Sequence, residues 1–294
     1  MLIGLIVPNI TSEAFAAAAQ TLSHRCLKEG LQVVLAISED DPDLEYGHVA
    51  ALRAARAAGI VIAPSRMPHE KTISLLRSVP TVQYARHHPR IVAPSVAVDS
   101  ERGIALATQH LLQLGHRRIA YLGPDRAIST GAARLSGFVD AHAKFGLKPA
   151  MAMASTGTMD SDRVQTRIVE LLQSRTPPTG VIFGAGSGIA GALMALRDAQ
   201  LEVPRDISIV GYGNPQWYEI WGPGITTVAQ PFVQMANAAA SELIAQIADP
   251  AKAPAKPLRI KLAPEFIVRG STMRPPPHGA RRRASALNSE LAGA

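Results

Sequence analysis

A single cysteine, Cys26, occurs among 294 residues. No disulfide framework can form within such a chain, so a reducing compartment is its default setting. Aromatic residues are scarce too, at 4%, although hydrophobic residues together reach 47%. The apolar content is therefore mostly Ala, Val, Leu and Ile, a composition suited to helices packed on buried parallel sheets. No run reaches the ~18 apolar residues of a membrane span. The first apolar run, LIGLIV (2–7), is closed by Pro8 and Asn9 and has no basic region before it. It does not read as a secretory leader, which disfavours an exported protein and points to the cytoplasm.

Catalytic signatures are missing as well. There is no H-E-x-x-H, Walker A or G-x-S-x-G pattern. His87 and His88 are adjacent and poorly placed to converge on one metal, and a lone cysteine with scattered histidines signals structure more than a nucleophile–base pair. The expectation is a non-enzyme that needs no cofactor and no metal. Nor is there a strong charge of one sign in the body of the chain. The net charge is +7, but the segment from Met273 carries Arg274, Arg281, Arg282 and Arg283 against Glu290. The remainder is only mildly basic and does not by itself mark a nucleic-acid binder.

What is present is an alternation of short β-rich runs with amphipathic helical stretches. LIGLIV, LQVVLAI (31–37), IVIA (60–63), TVQY (81–84), VAV (96–98) and RIAYL (118–122) read as buried strands. Further strands are expected at 150–154, 181–183, 207–210 and 258–260. Between them fit helices such as 41–58, opened by Asp41 with Pro42 in the first turn, and 101–114, stopped by Gly115. Others fit 132–144, 162–173, 189–199 and 233–247. Many β-α units in series mean parallel sheets with right-handed crossovers, and so many strands imply two α/β subdomains. The end of the chain, PPPHGARRRASALNSELAGA (275–294), has little to bury and reads, from 273, as a disordered tail.

Several stretches resemble, in order, the regulatory domain of the LacI/GalR family of transcription regulators. They are IGLIVPNITSEAF (3–15), VDSERGIALATQHLLQLGHRRIAYLGP (98–124), RLSGF (134–138), LEVPRDISIVGYGN (201–214), ITTVAQP (225–231) and FIVRGST (266–272). The resemblance implies a periplasmic-binding-protein-like type I fold, with two doubly wound parallel-sheet lobes, three crossovers and a small-molecule cleft between them. The lobes would be 1–98 with 231–255, and 99–228 with 256–272. It also implies a homodimer and a lobe motion biased by an effector. Operator DNA would be read only through a helix-turn-helix headpiece, which lies outside the chain as given. A solute-binding protein of a transport system, with the same fold, is the alternative.

In that frame Arg134 matches the family arginine that reaches the ligand, where its guanidinium offers a rigid fork of donors. Asn9, Ser12 and Phe15 follow the first strand. Asn9 would bond a ligand or make a turn, Ser12 caps a helix, and Phe15 would stack on a ligand or join the core. The chain departs from the pattern of sugar-responsive members at Ala85, at GAGSG (184–188) and at Gly213, where the family has acidic or amide groups. Asn214 is a partial replacement. With acceptors missing, the expected effector is a small polar molecule carrying negative charge, such as a sugar acid or a phosphorylated metabolite. Gly186 opens GSGIAG (186–191), a G-x-G-x-x-G match whose glycine-rich helix start suits an anionic group. A true dinucleotide site there, and hence a nicotinamide-dependent enzyme, is the less favoured reading. Trp217, Tyr218 and Trp221 form a local aromatic cluster, expected at a dimer interface or in the core, with stacking on a ligand the less favoured reading.

Overall fold

The computed structural model describes residues 1–157, 160–249 and 257–275. The expected disordered segment from 276 onward lies outside the described residues. By its internal contacts the chain divides into two compact units, Met1–Ser100 with Ala127–Thr130 and Gln230–Pro264, and Glu101–Arg126 with Gly131–Ala229 and the segment from Glu265. The long segments change unit after Ser100, after Ala229 and after Pro264.

Unit 1 is built from β1 (Leu2–Val7), α1 (Glu13–Lys28), β2 (Gln32–Ile37), α2 (Pro42–Ala54), β3 (Gly59–Ile62), α3 (Glu70–Leu76), β4 (Thr81–Tyr84) and β5 (Ser95–Val98). Helix α9 (Phe232–Ala248) and strand β11 (Arg259–Leu262) complete it. Its sheet runs β11-β5-β4-β3-β1-β2, with every pair parallel. The central strands are apolar on both faces because helices cover both. One face packs Leu5, Val61 and Val82 against Phe15, Leu22 and Leu243, and the other packs Ile6, Ile60 and Ile62 against Val49, Leu52 and Ile73. Helix α2 begins as expected: the Asp41 carboxylate accepts from the backbone N–H groups of Asp43 at 2.7 Å and Leu44 at 3.3 Å.

Unit 2 holds α4 (Ser100–Gln113), β6 (Ile119–Gly123), α5 (Ser129–Lys144), β7 (Ala154–Thr156), α6 (Ser161–Gln173), β8 (Gly180–Phe183), α7 (Ile189–Asp198), β9 (Ser208–Tyr212), α8 (Trp217–Ile220), β10 (Thr226–Ala229) and β12 (Glu265–Ile267). Its sheet runs β12-β10-β9-β8-β6-β7, and only β12 is antiparallel to its neighbour among the described strands. Two six-stranded, largely parallel sheets with helical crossovers make up the expected fold class.

Three boundaries differ from the sequence reading. The segment expected as a strand over 150–154 makes one 3-10 turn at Met151–Met153, closed by Met153 N–H on the Ala150 carbonyl, and β7 starts only at Ala154. Strand β11 lies in unit 1, not unit 2. It pairs in register from Arg259 against Ser95 to Leu262 against Val98, giving the otherwise unpaired edge of β5 a ladder partner. Met273, expected in the tail, is bound into unit 2. Its N–H donates to Ser208 Oγ at 3.1 Å and its carbonyl contacts His116 Nε2 at 2.9 Å.

Candidate functional site

Open α/β sheets present ligand groups at the carboxyl ends of their strands, and each unit has such a rim. On the unit 1 rim, Asn9 follows β1. Its Oδ1 accepts from Ser12 N–H at 2.9 Å and from Thr11 Oγ1 at 3.2 Å. These bonds shape the loop that leads into α1. The Ser12 side chain makes no capping bond, so the cap expected of Ser12 is not formed. Phe15 is only 9% exposed and packs in the unit 1 core.

Further along the same rim, Ala85 leaves β4 with a left-handed φ of 62° and directs the chain to Arg86. Arg86 is 7% exposed and pairs with Asp40, which follows β2. The carboxylate missing at position 85 is thus replaced, as a partner for Arg86, by one from another loop. Glu45 of α2 is completely buried and accepts from Ser65 N–H at 2.6 Å and Ser65 Oγ at 3.0 Å. Burial pushes its carboxyl above the usual range, and the Ser65 bonds and Arg86 pull partly back. The unit 1 rim is thereby a set of polar groups that largely satisfy one another.

On the unit 2 rim, Arg134 projects from α5. Its Nη1 donates to the Gly184 carbonyl at 2.6 Å, and its guanidinium carbon sits 4.0 Å from the centre of the Tyr212 ring. That ring, at the end of β9, holds the cation by its face and orients the planar fork. Tyr121 of β6 lies beneath. Its hydroxyl is buried without a hydrogen-bond partner, and burial pushes its pKa up while Arg134 partly offsets this. A side chain at Gly184 would come 2.6 Å from that hydroxyl, and one at Gly186 would come 2.7 Å from the Tyr212 carbonyl. Both glycines are steric requirements of this packing. Asn214 Oδ1 accepts from Arg269 Nη2 at 2.9 Å, while Arg269 Nη1 donates to the Ile225 carbonyl at 2.8 Å. A groove of about 230 Å³ lies at the ends of β6 and β7, between Leu122, Gly157 and Arg163.

The structure thus brings Arg134, Gly186 and Asn214 to one rim, around Tyr212. It places Asn9, Ser12 and Phe15 in the other unit. Tyr212, Tyr121 and Arg269 escaped the sequence reading, although Tyr212 ends the strand SIVGY and that position was a usable signal. The aromatic cluster divides. Tyr218 is fully buried and donates to the Tyr212 carbonyl at 3.4 Å, which removes it from any interface. Trp221 is half-buried against the same core, while Trp217 stays 36% exposed and Ile220 78% exposed. The last glycine of GSGIAG, Gly191, meets the Ser161 carbonyl of α6, at 1.9 Å from where a Cβ would stand. Helix–helix packing accounts for it. No group of His, Cys, Asp and Glu among the described residues is arranged to hold a metal ion, and no described helix is long and apolar enough to cross a membrane.

Known proteins share this pattern. Residues 108–272 match the model of the periplasmic binding protein-like domain. The chain is 30% identical to the HTH-type transcriptional regulator GalR of Escherichia coli over 84% of its own length and 72% of that protein's. It is 31% identical to an uncharacterized HTH-type transcriptional regulator of Streptomyces limosus, over 95% of this chain and 80% of that one. A LacI family transcriptional regulator from Enterococcus faecium, solved with bound ribose, superposes with a TM-score of 0.82 at 27% identity, covering 93% of this chain and 99% of that one. These matches favour a regulator over a transport protein, and the chain belongs to the LacI/GalR family of transcriptional regulators, of which it forms the periplasmic-binding-protein-like portion.

Proposed function

We propose that unit 2 binds a small anionic effector through Arg134, and that the chain senses it as a homodimer for a cytoplasmic, non-enzymatic regulator of transcription. The carrying observation is the placement of Arg134, clamped by the Gly184 carbonyl and laid on Tyr212. A guanidinium held in a fixed plane in this way meets planar anionic groups with little entropy left to lose. An amide acceptor at this rim, Asn214 Oδ1, is already engaged by Arg269. A site rich in donors and short of acceptors suits a sugar acid or a phosphorylated metabolite better than a neutral hexose. Bound ribose in the Enterococcus protein supports a neutral pentose as the second reading.

Calorimetric titration with neutral sugars, sugar acids and sugar phosphates separates the two. The expected result is binding of an acidic compound, weakened about tenfold or more by Arg134→Ala, since a charge-assisted hydrogen bond contributes about 1.5–3 kcal/mol. Tight binding of a neutral sugar, indifferent to Arg134→Ala, would overturn the anionic reading. Sedimentation of the same samples should give a dimer at micromolar concentration. A monomer there would remove the homodimer from the proposal. Exposed Trp217 and Ile220, and the exposed Val34 and Leu35 on the edge strand β2, are the surfaces available for it.

A further inference from the structure

Among the described residues, unit 2 has one buried side-chain polar atom without a hydrogen-bond partner, and it stands at the candidate site. It is the Tyr121 hydroxyl. The Tyr121 ring is completely buried and stacks on Phe138 of α5, with centroids 5.3 Å apart and planes 26° from parallel. Phe138 lies one turn after Arg134 on that helix. The far end of the ring meets the residue that Arg134 also meets. The hydroxyl stands 2.6 Å from where a Cβ on Gly184 would be, and the Gly184 carbonyl accepts from Arg134 Nη1 at 2.6 Å. The guanidinium is near enough to pull against the rise that burial imposes on the phenol pKa.

Packing does not explain the hydroxyl. Phenylalanine would make the same stack, and a buried O–H without an acceptor costs stability that phenylalanine would not. Other buried hydroxyls of unit 2 are answered. Thr227 donates to the Gly213 carbonyl at 2.5 Å, Ser271 to the Ile209 carbonyl at 2.7 Å and Tyr218 to the Tyr212 carbonyl at 3.4 Å. The Tyr121 hydroxyl is bounded instead by glycines on two neighbouring strands, Gly123 ending β6 and Gly184 following β8. A Cβ on either would collide with it, so neither strand end sets a side chain between this O–H and the rim. A buried polar group that costs stability calls for a role, and here it lies beside the arginine of the candidate site.

We infer that the Tyr121 hydroxyl is a specificity-determining hydrogen-bond donor to the effector, set beside Arg134 at the ends of β6 and β8. The inference rests on the effector reading above, and it adds the atom that selects among ligands. The hydroxyl is covered by protein atoms. A tilt of the ring past the two glycines, which carry no Cβ to block it, brings the O–H to an oxygen of the bound molecule. A ligand with an oxygen at that place gains the hydrogen bond. One without it leaves the O–H unanswered and is rejected by that difference.

The test combines urea unfolding with calorimetry of the whole chain against inorganic phosphate, gluconate, ribose phosphate and ribose. The proteins are the parent, Tyr121→Phe, Arg134→Ala, the double variant and Tyr84→Phe. Tyr84 is the control: it is equally buried, but in unit 1, and its hydroxyl donates to the Ala14 carbonyl at 3.1 Å. Tyr121→Phe should raise the urea midpoint, having shed an unanswered O–H, and yet bind the tightest of these ligands about tenfold more weakly. Tyr84→Phe should do the opposite, with a lower midpoint and unchanged affinity. The double variant should lose less than the product of its two single losses, because neighbouring donors act on one ligand. An affinity that Tyr121→Phe leaves unchanged while Arg134→Ala weakens it would overturn the role of the hydroxyl and leave the anionic reading standing. Ribose binding that depends on Tyr121 and ignores Arg134 would defeat the anionic reading and sustain the hydroxyl contact. A lowered midpoint in Tyr121→Phe would show the O–H already answered within the fold, and would overturn the inference as well.

Discussion

The two rims of the molecule have the same architecture and opposite chemistry. Each stands at the carboxyl ends of a six-stranded sheet, and each carries an arginine beside the end of a central strand. In unit 1, Arg86 is buried and answered by Asp40, Glu45 is answered by Ser65, and Asn9 is answered by the loop it shapes. In unit 2, Arg134 donates to a backbone carbonyl and lies on an aromatic face. An ion pair with a neighbouring loop fixes Arg86 within its own rim, while the carbonyl and the ring fix the plane of the Arg134 guanidinium. Residue type alone therefore does not separate the two arginines; their surroundings do.

The comparison breaks most visibly if Arg86 is removed. Arg86→Ala leaves Asp40 and buried Glu45 without their cation and should cost about 2 kcal/mol. This is less than the ~3–5 kcal/mol of a fully buried pair, because Asp40 is half-exposed. Urea unfolding should show the loss while effector affinity stays within about twofold. Arg134→Ala should show the reverse pattern, and an effector affinity as sensitive to Arg86 as to Arg134 would erase the distinction between the rims.

A smaller effect sharpens the reading of the first loop. Asn9→Ala should destabilise by about 1 kcal/mol, because it removes the acceptor of Ser12 N–H in the loop before α1. Ser12→Ala should leave the unfolding midpoint nearly unchanged, because that side chain caps nothing. If Ser12→Ala proves the costlier of the two, the loop is held by Ser12 and not by Asn9.

The least effect concerns pH. The carboxyl of Glu45 titrates above its ordinary value in the fold, so the folded chain holds that proton more tightly than the unfolded chain does. The stability it contributes is present below the ordinary carboxylate pKa and is lost as pH rises through the raised one. Relative to Glu45→Gln, the parent should therefore weaken between these two values on going upward in pH. Unfolding midpoints followed from pH 4 to 7 check the sign, and a parent that gains on the variant in that window would show Glu45 stabilised as a carboxylate.

Much of the fold is legible in the order of residues. Short apolar runs such as LIGLIV and TVQY, closed by turn residues and rich in β-branched side chains, read as strands covered on both faces, and Asp41-Pro42 and Gly115 mark helix ends by local backbone chemistry. The partner of β11 is not legible, because the alternation in RIKL fits any half-covered edge and only the free edge of β5 selects it. Met273 is a similar case: nothing local predicts that Ser208 and His116 hold it. At the site, the position of Arg134 could be read from RLSGF. The roles of Phe15 and Tyr218 could not, because an aromatic after a strand fits a core or a rim equally until the neighbours are known.

The sequence by itself determined the two-unit α/β architecture, the family and the arginine at the second rim. Each rests on periodicity, turn chemistry or ordered motifs that act over a few residues. Only the tertiary structure decided that Arg86 pairs with Asp40 and that Arg134 lies on Tyr212. Those pairings join residues 46 and 78 positions apart in the chain, and only folding sets such distant groups against each other.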